Sequence, residues 1–345
     1  MTEKKIPIDR RKFLLSAATT AGVLAIAPLQ TACASASRKE EASRSNLGGV
    51  EIGAITYSFR TMPTDAGSIL LYTLATGLGT LEMMGDVAEN YAGRPISPQF
   101  GSQIRPVPGQ PLTPEQERER EAQMEARQRY NEEVLAWRLS VPMSKYEQLG
   151  KIYKMAGVNI HIIKIQPNVN MSDAELDYIF NVCKAVGAMG VSCELDLKVA
   201  ERVAPFAAKH GKYLIFHNHD QFADESFRLE PFFEYDNVRL NFDMAIYYGS
   251  TGKDPREIVE KYHEHIVSIH IKDYTGPKST PPRTNRIWGQ GETPLREFLL
   301  YIKSNAGKPG WPVHCDIELS YDIPEGSDAV TEVARCLEFV KNILV

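Results

Sequence analysis

Short apolar runs ending in polar or charged residues recur along this chain: Tyr213–His219 (YLIFHNH), Val238–Met244 (VRLNFDM), Ile266–Tyr274 (IVSIHIKDY) and Val313–Leu319 (VHCDIEL). Runs of this kind read as strands buried in a parallel sheet, on which residues two apart face the same side. His217 and His219 therefore share a face, as do Asn241 and Asp243, His270 and Lys272, and Asp316 and Glu318. Val50–Phe59, Thr80–Met84, Val158–Gln166 and Val191–Leu197 read as further strands. Helical signals separate them. Ser172-Asp173-Ala174-Glu175 has the pattern of a capping box, ahead of Leu176, Ile179, Phe180, Cys183 and Val186 at helical spacing. Asp254-Pro255 and Thr293-Pro294 each set a cap before a proline at the first helical position. Gly211 closes a helix begun near Val199, with Pro205 as a break in its pattern, and Asp328–Leu344 forms a last amphipathic helix.

About eight strands alternating with helices is the count of a (β/α)8 barrel, so the predicted fold class is α/β, a single-domain TIM barrel. Residues 49–345 form the barrel and 35–48 a polar linker before it. The rhythm breaks at residues 87–145, a Pro/Gly/Gln-rich stretch followed by Thr113-Pro114-Glu115-Gln116, which opens a highly charged helix reaching about Trp137. This insertion follows the second strand, so it leaves from the barrel face that carries the strand tips. A lid, an oligomer contact that makes the chain a homo-oligomer, and a solvated decoration are the readings of it.

Residues 1–34 have the pattern of a targeting segment. Lys4, Lys5, Arg10 and Arg11 precede an uncharged stretch from Leu14 to about Cys33, as in a twin-arginine export signal. The expected location is the periplasm. Cys33 in LQTAC weakly matches a lipoprotein acylation site, which makes a lipid anchor the alternative to cleavage near Ala34–Ala36. Thr19, Thr20 and Gly22 leave the stretch only weakly apolar, so no membrane span is expected in the mature chain. Cys183, Cys193, Cys315 and Cys336 have no short paired spacing and are expected to be buried and reduced. The net charge of −5 gives no electrostatic footprint for nucleic acid.

In such a barrel the C-terminal strand ends build the site. Read in order they supply Glu82, Lys164 and Gln166, Glu194, His217 and His219, Asp243, His270 with Lys272 and Asp273, and Glu318. Charged groups at buried strand ends are costly without a partner, and imidazoles with carboxylates point to a metal. His217, Asp243, His270 and Glu318 come from consecutive late strands and are the expected ligands of one divalent ion. Their mixed N/O donor set suits Mn, Co or Zn. Glu82, Lys164, Gln166 and Arg286 are the expected substrate contacts, although Glu82 and Glu194 also fit a structural ion pair with Lys164 or Arg286. His161, His210, His263, His265 and His314 are expected to be structural.

The strand order, the HNHD, FD, HIKD and IEL tips, and the GQGETPL turn at Gly289–Leu295 resemble the xylose isomerase-like TIM barrels, the sugar phosphate isomerase/epimerase group. The resemblance runs from Val50 to Val345 apart from the insertion. It implies a metal on His217, Asp243, His270 and Glu318, and proton abstraction beside a polarised carbonyl to give an enediolate. Glu318 then acts as the acid/base, with Lys272 or His219 stabilising the oxyanion. Epimerases of the group carry glutamate where this chain has His217, and use two carboxylates on opposite substrate faces. The His-x-His at this strand is more similar to the inosose dehydratase branch, whereas Glu194, one strand earlier, is the candidate to restore the second base of an epimerase. The expected activity is thus isomerisation or epimerisation of an exported, non-phosphorylated sugar or keto-sugar. Its alternatives are elimination from a keto-sugar or keto-glycoside and a non-catalytic carbohydrate-binding barrel. An abasic-site nuclease of the same fold needs further histidine ligands and a basic surface.

Overall fold

The computed structural model describes residues 44–98, 112–312 and 314–345. The twin-arginine segment, Cys33 and most of the expected linker lie outside the described residues, as do residues 99–111 of the insertion. Eight parallel strands, β2 (Val50–Ile55), β3 (Thr80–Met84), β4 (Asn159–Lys164), β5 (Gly190–Glu194), β6 (Tyr213–His217), β7 (Val238–Asp243), β8 (Ile266–Ile271) and β11 (His314–Ile317), pair in chain order. Pairing of β2 with both β3 and β11 closes the sheet. The result is a single (β/α)8 barrel. A two-residue strand β1 (Asn46–Leu47) lies antiparallel on β2, and the buried Ser45 hydroxyl bridges Ile52 O and Gly79 N. A two-stranded ribbon, β9 (Asp273–Tyr274) with β10 (Asn285–Arg286), follows β8.

The strands end earlier than their apolar runs suggest. Val50–Phe59 is strand only to Ile55 and then a 3-10 turn, and the HNHD run leaves the sheet after His217. Alternation explains β6, β7 and β8: Leu214 and Phe216, Leu240 and Phe242, and Ile269 and Ile271 are buried outward under the helices, whereas His217, Asp243 and His270 take the inward positions. The outer ring contains α1 (Ala66–Thr76), α2 (Gly85–Ala92), α3 (Pro114–Ser140), α4 (Ser144–Met155), α5 (Asp173–Val186) and α6 (Leu197–His210). It continues with α7 (Met244–Thr251), α8 (Arg256–Tyr262), α9 (Leu295–Asn305) and α10 (Ala329–Leu344). The Ser172/Glu175 and Thr113/Gln116 capping boxes are both formed, and Asp328 caps α10. α6 runs unbroken through Pro205 because that residue faces water, where the carbonyl deprived of its partner can be solvated. Two helices start one residue later than their Xaa-Pro pairs predict, at Arg256 and Leu295. Thr293 does not cap α9, because its hydroxyl accepts from Tyr274 N instead.

Below the strand tips the barrel interior is polar, where such barrels usually hold layers of branched aliphatic side chains. Asp316 is fully buried and accepts from His161 Nε2 at 2.9 Å and Ser268 Oγ at 2.7 Å. A register shift between Leu81 and Glu82 lets His161 turn inward and meet Thr80 Oγ1 at 2.9 Å, although strand parity puts it opposite Lys164. Gly53 makes room for this layer, since a Cβ there would lie 2.2 Å from Asp316 Oδ1.

The insertion docks on the outer ring. Trp137 packs edge-on against Tyr178 of α5, and Arg138 and Arg94 both pair with the buried Glu89 of α2. Cys183, Cys193, Cys315 and Cys336 are free and buried. Among the described residues no helix is long and apolar enough to cross a membrane.

Candidate functional site

At the C-terminal mouth His217, Asp243, His270 and Glu318 converge, each offering a ligand atom within 4.8 Å of the others. Asp243 ends β7 and divides its carboxylate between two tasks. Oδ1 accepts from Ala245 N at 3.1 Å and Ile246 N at 2.8 Å, capping α7, and Oδ2 faces the cluster. Asp243 is therefore at once the cap of α7 and a member of the cluster. His217 Nε2 lies 3.6 Å from Asp243 Oδ2. Both atoms are buried without a hydrogen-bond partner. Lys272 Nζ sits 2.7 Å from Asp243 Oδ2, in ionic contact but off the line of a hydrogen bond, and donates to Glu318 Oε2 at 3.0 Å.

Charge and burial oppose each other throughout. Burial raises the Asp243 and Glu318 carboxyls, but Lys272 together with His217 or His270 outweighs it and holds both below the usual range. Burial alone would lower His270, yet Glu82 and Glu318 on either side push it up to about 10. Glu194 faces the cluster from β5: Lys164 Nζ lies 2.8 Å from Oε1, and His219 Nε2 and His217 Nδ1 lie 2.7 and 3.4 Å from Oε2. These contacts overcome burial and drive its carboxyl far down.

The remaining expected site residues fall into three positions. Lys164 and Gln166 flank Glu194, with Gln166 Oε1 accepting from Glu194 N at 3.3 Å. Glu82 does not reach the mouth: it is fully buried beneath His270 and accepts from Ser192 Oγ, Asn241 Nδ2 and His270 Nε2. Arg286 stands half-buried on β10, opposite Asp273 in the ribbon. Asp273 itself is structural, accepting from the amides of Tyr274, Gly289, Gly291 and Thr293. The GQGETPL turn is wound around that carboxylate, and a Cβ on Gly291 would sit 2.1 Å from its Oδ1.

Two supporting residues escaped the sequence reading. Asn218, inside HNHD, donates to Asp243 O and accepts from Asp243 N, locking the ends of β6 and β7 together. Its zero exposure between two histidines is visible only once the strand is known to end at His217. Asn241 shares the face of Asp243 by parity, and its amide reaches Glu82 Oε2 at 2.7 Å.

The donor set fits a divalent ion. Two imidazoles and two carboxylates converge, Asp243 Oδ2 and His217 Nε2 are buried without hydrogen bonds, and His270 Nε2 is held by a carboxylate so that Nδ1 faces Glu318. Two smaller groups, Glu194 with His217 and His219, and Glu82 with His270 and Asp316, are also close enough to hold an ion.

No protein-family model and no curated protein matches the chain. Solved structures do. The probable 3-DHS dehydratase AsbF of Bacillus anthracis, involved in petrobactin synthesis, is 14% identical with a TM-score of 0.55, over 85% of this chain and 99% of that one. A xylose isomerase domain protein of Alicyclobacillus acidocaldarius is 15% identical with a TM-score of 0.54, over 85% and 99%. The D-psicose 3-epimerase of Clostridium cellulolyticum is 12% identical with a TM-score of 0.52, again over 85% and 99%. At these identities the likeness is one of fold, and the fold of this chain is that of the xylose isomerase-like TIM barrels.

Proposed function

We propose that this protein is a divalent-metal-dependent enzyme acting on a sugar or keto-sugar through an enediolate. The observation that carries the reading is the convergence of His217, Asp243, His270 and Glu318, with His217 Nε2 and Asp243 Oδ2 buried and lacking hydrogen bonds. An ion bound there would polarise a carbonyl and the neighbouring hydroxyl of the substrate. Glu318 is the base: both of its hydrogen bonds fall on Oε2, so Oε1 is uncommitted and can take a proton from the adjacent carbon. Lys272, next to it, supplies positive charge to the developing oxyanion. His219, half exposed on the far side of His217, is the second candidate for that task. Arg286, Lys164 and Gln166 are candidates for orienting the sugar hydroxyls.

Isomerisation and elimination need one base, whereas epimerisation needs a proton delivered to the opposite face. Besides Asp243, which caps α7 and faces the ion, the carboxylate that meets the cluster from a neighbouring strand is Glu194, and it is tied to Lys164, His217 and His219. That arrangement favours the one-base reactions and gives elimination from a keto-sugar a specific physical basis. The fold neighbours named for an epimerase and a dehydratase are consistent with either. The export signal read in residues 1–34 favours a substrate without phosphate.

Metal analysis of the purified protein beside Asp243→Ala, followed by incubation of keto-sugars in deuterated buffer, tests the proposal. About one divalent ion per wild-type chain, lost in the variant, is expected, with carbon-bound deuterium appearing in substrate or product. Glu318→Gln should lower turnover by about 10²–10⁴-fold. A well-folded wild type that takes up no divalent ion after reconstitution would overturn the reading. Release of water or an aglycone would assign elimination.

A further inference from the structure

We infer that Glu82 is a positioning residue for the metal: from beneath the site it fixes which nitrogen of His270 faces the ion. The inference rests on the metal-binding reading above and adds to it a residue expected to touch substrate. Glu82 has no exposed surface. Its Oε1 accepts from Ser192 Oγ at 2.5 Å, and its Oε2 accepts from Asn241 Nδ2 and His270 Nε2, each at 2.7 Å.

The tautomer follows from counting donors. Asn241 Nδ2 and His270 Nε2 approach to 3.0 Å because both point at the same oxygen, Glu82 Oε2. An amide NH2 has no lone pair to offer, so the His270 Nε2 proton must go to Glu82. Nε2 is thereby removed as a ligand atom. Nδ1, 3.0 Å from Glu318 Oε2, is the nitrogen left for the cluster of four. A carboxylate behind a ligating imidazole orients the ring and raises its basicity, and its loss typically costs 10- to 100-fold in metal affinity. The bond also sets the ring plane. Ser192 and Asn241, from β5 and β7, clamp the carboxylate so that it cannot follow the ring. Glu82 cannot also serve substrate, since no face of it opens to the mouth.

Cobalt binding decides the matter without reference to turnover. Co2+ affinity is measured by chelator competition, and the visible ligand-field spectrum is recorded, for wild type, Glu82→Gln and Glu82→Leu, each checked for folding by thermal unfolding. Gln keeps an oxygen for His270 Nε2, and Leu keeps none. The expected order of affinity is wild type, then Gln, then Leu, with Leu about 10- to 100-fold below wild type and its spectrum altered. Equal affinity and unchanged spectra in folded variants would show that Glu82 only fills the interior and would overturn the inference. If Leu fails to fold, Gln decides: an affinity equal to wild type overturns the inference, and a weaker one supports it. Wild type that binds no Co2+ would overturn the metal reading itself and the inference with it.

Discussion

Asp316 on β11 and Glu318, one residue past its end, share a face by strand parity, yet they belong to two differently built layers of one barrel. Asp316, toward the strand starts, has no exposure and is bonded by His161 and Ser268, the first braced by Thr80. Glu318, at the mouth, keeps 14% of its side chain exposed and is held by His270 and Lys272. The lower layer holds Asp316 Oδ2 with two short side chains of fixed hydrogen-bond direction, although Asp316 Oδ1 and His314 Nδ1 are buried there without a hydrogen bond. The upper layer satisfies its carboxylates with lysines on flexible stems and leaves Asp243 Oδ2 and His217 Nε2 without directional bonds. A layer of the first kind specifies the barrel. One of the second kind can accept a ligand without first breaking a network.

The sharpest way to break this contrast is to remove one residue from each layer. His161→Leu strands the buried Asp316 carboxylate and should cost about 3–5 kcal/mol in chemical unfolding, with little change in metal affinity for the chains that remain folded. Asp243→Asn keeps an oxygen for the α7 amides and leaves Lys272 paired with Glu318, so it should cost under about 1.5 kcal/mol while abolishing metal uptake. Equal destabilisation by the two variants, measured by urea unfolding without metal, would show that both layers are structural.

The same division marks what the sequence could reveal. Strand number, strand order, the Ser172/Glu175 capping box and the four converging residues follow from alternation and spacing, because each depends on a local period or a local bond. Residues whose role depends on the far side of the barrel are hidden. His161 turns inward through an irregular register that parity cannot anticipate. Glu82 sits on a strand tip in sequence, but the tilt of the closed barrel places it under His270, whose strand is remote from β3 in the chain. Asp273 looks like a fifth site carboxylate until its four amide donors are seen, three of them contributed by residues from Gly289 onward.

Metal addition sharpens the comparison at a smaller scale. An ion that binds only the folded chain stabilises it by about 2.7 kcal/mol at one hundred times its Kd. Thermal unfolding of wild type should therefore rise with divalent ion concentration. Asp243→Asn should show no such rise, and His161→Leu should rise in parallel with wild type from its lower start. A metal response lost in His161→Leu would mean that the layers are mechanically coupled.

The smallest effect is the pH dependence of the lower layer, in which two stacked histidines titrate in opposite directions. The His161 and His314 rings lie 4.5 Å apart and nearly parallel, so charging both is unfavourable. Burial opposes charge on both, but Asp316 compensates His161 and raises it above 6.5, whereas burial and the neighbouring His161 push His314 down to about 3. The His161 contribution is thus complete below pH 6.5 and fades as pH climbs through the raised value. Asp316, held below 3.8 because His161 outweighs its burial, contributes above pH 3.8 and is lost on the acid side. His314 contributes fully only above 6.5 and loses ground as pH falls toward about 3. For this layer the opposing limbs meet near pH 6.5. His314→Gln should remove the acid limb that runs from pH 6.5 toward about 3, a slope of up to about 1.4 kcal/mol per pH unit, and move the metal-free stability maximum to lower pH. An acid limb unchanged in that variant, followed by unfolding across the pH series, would place the acid sensitivity in the carboxylates of the mouth instead.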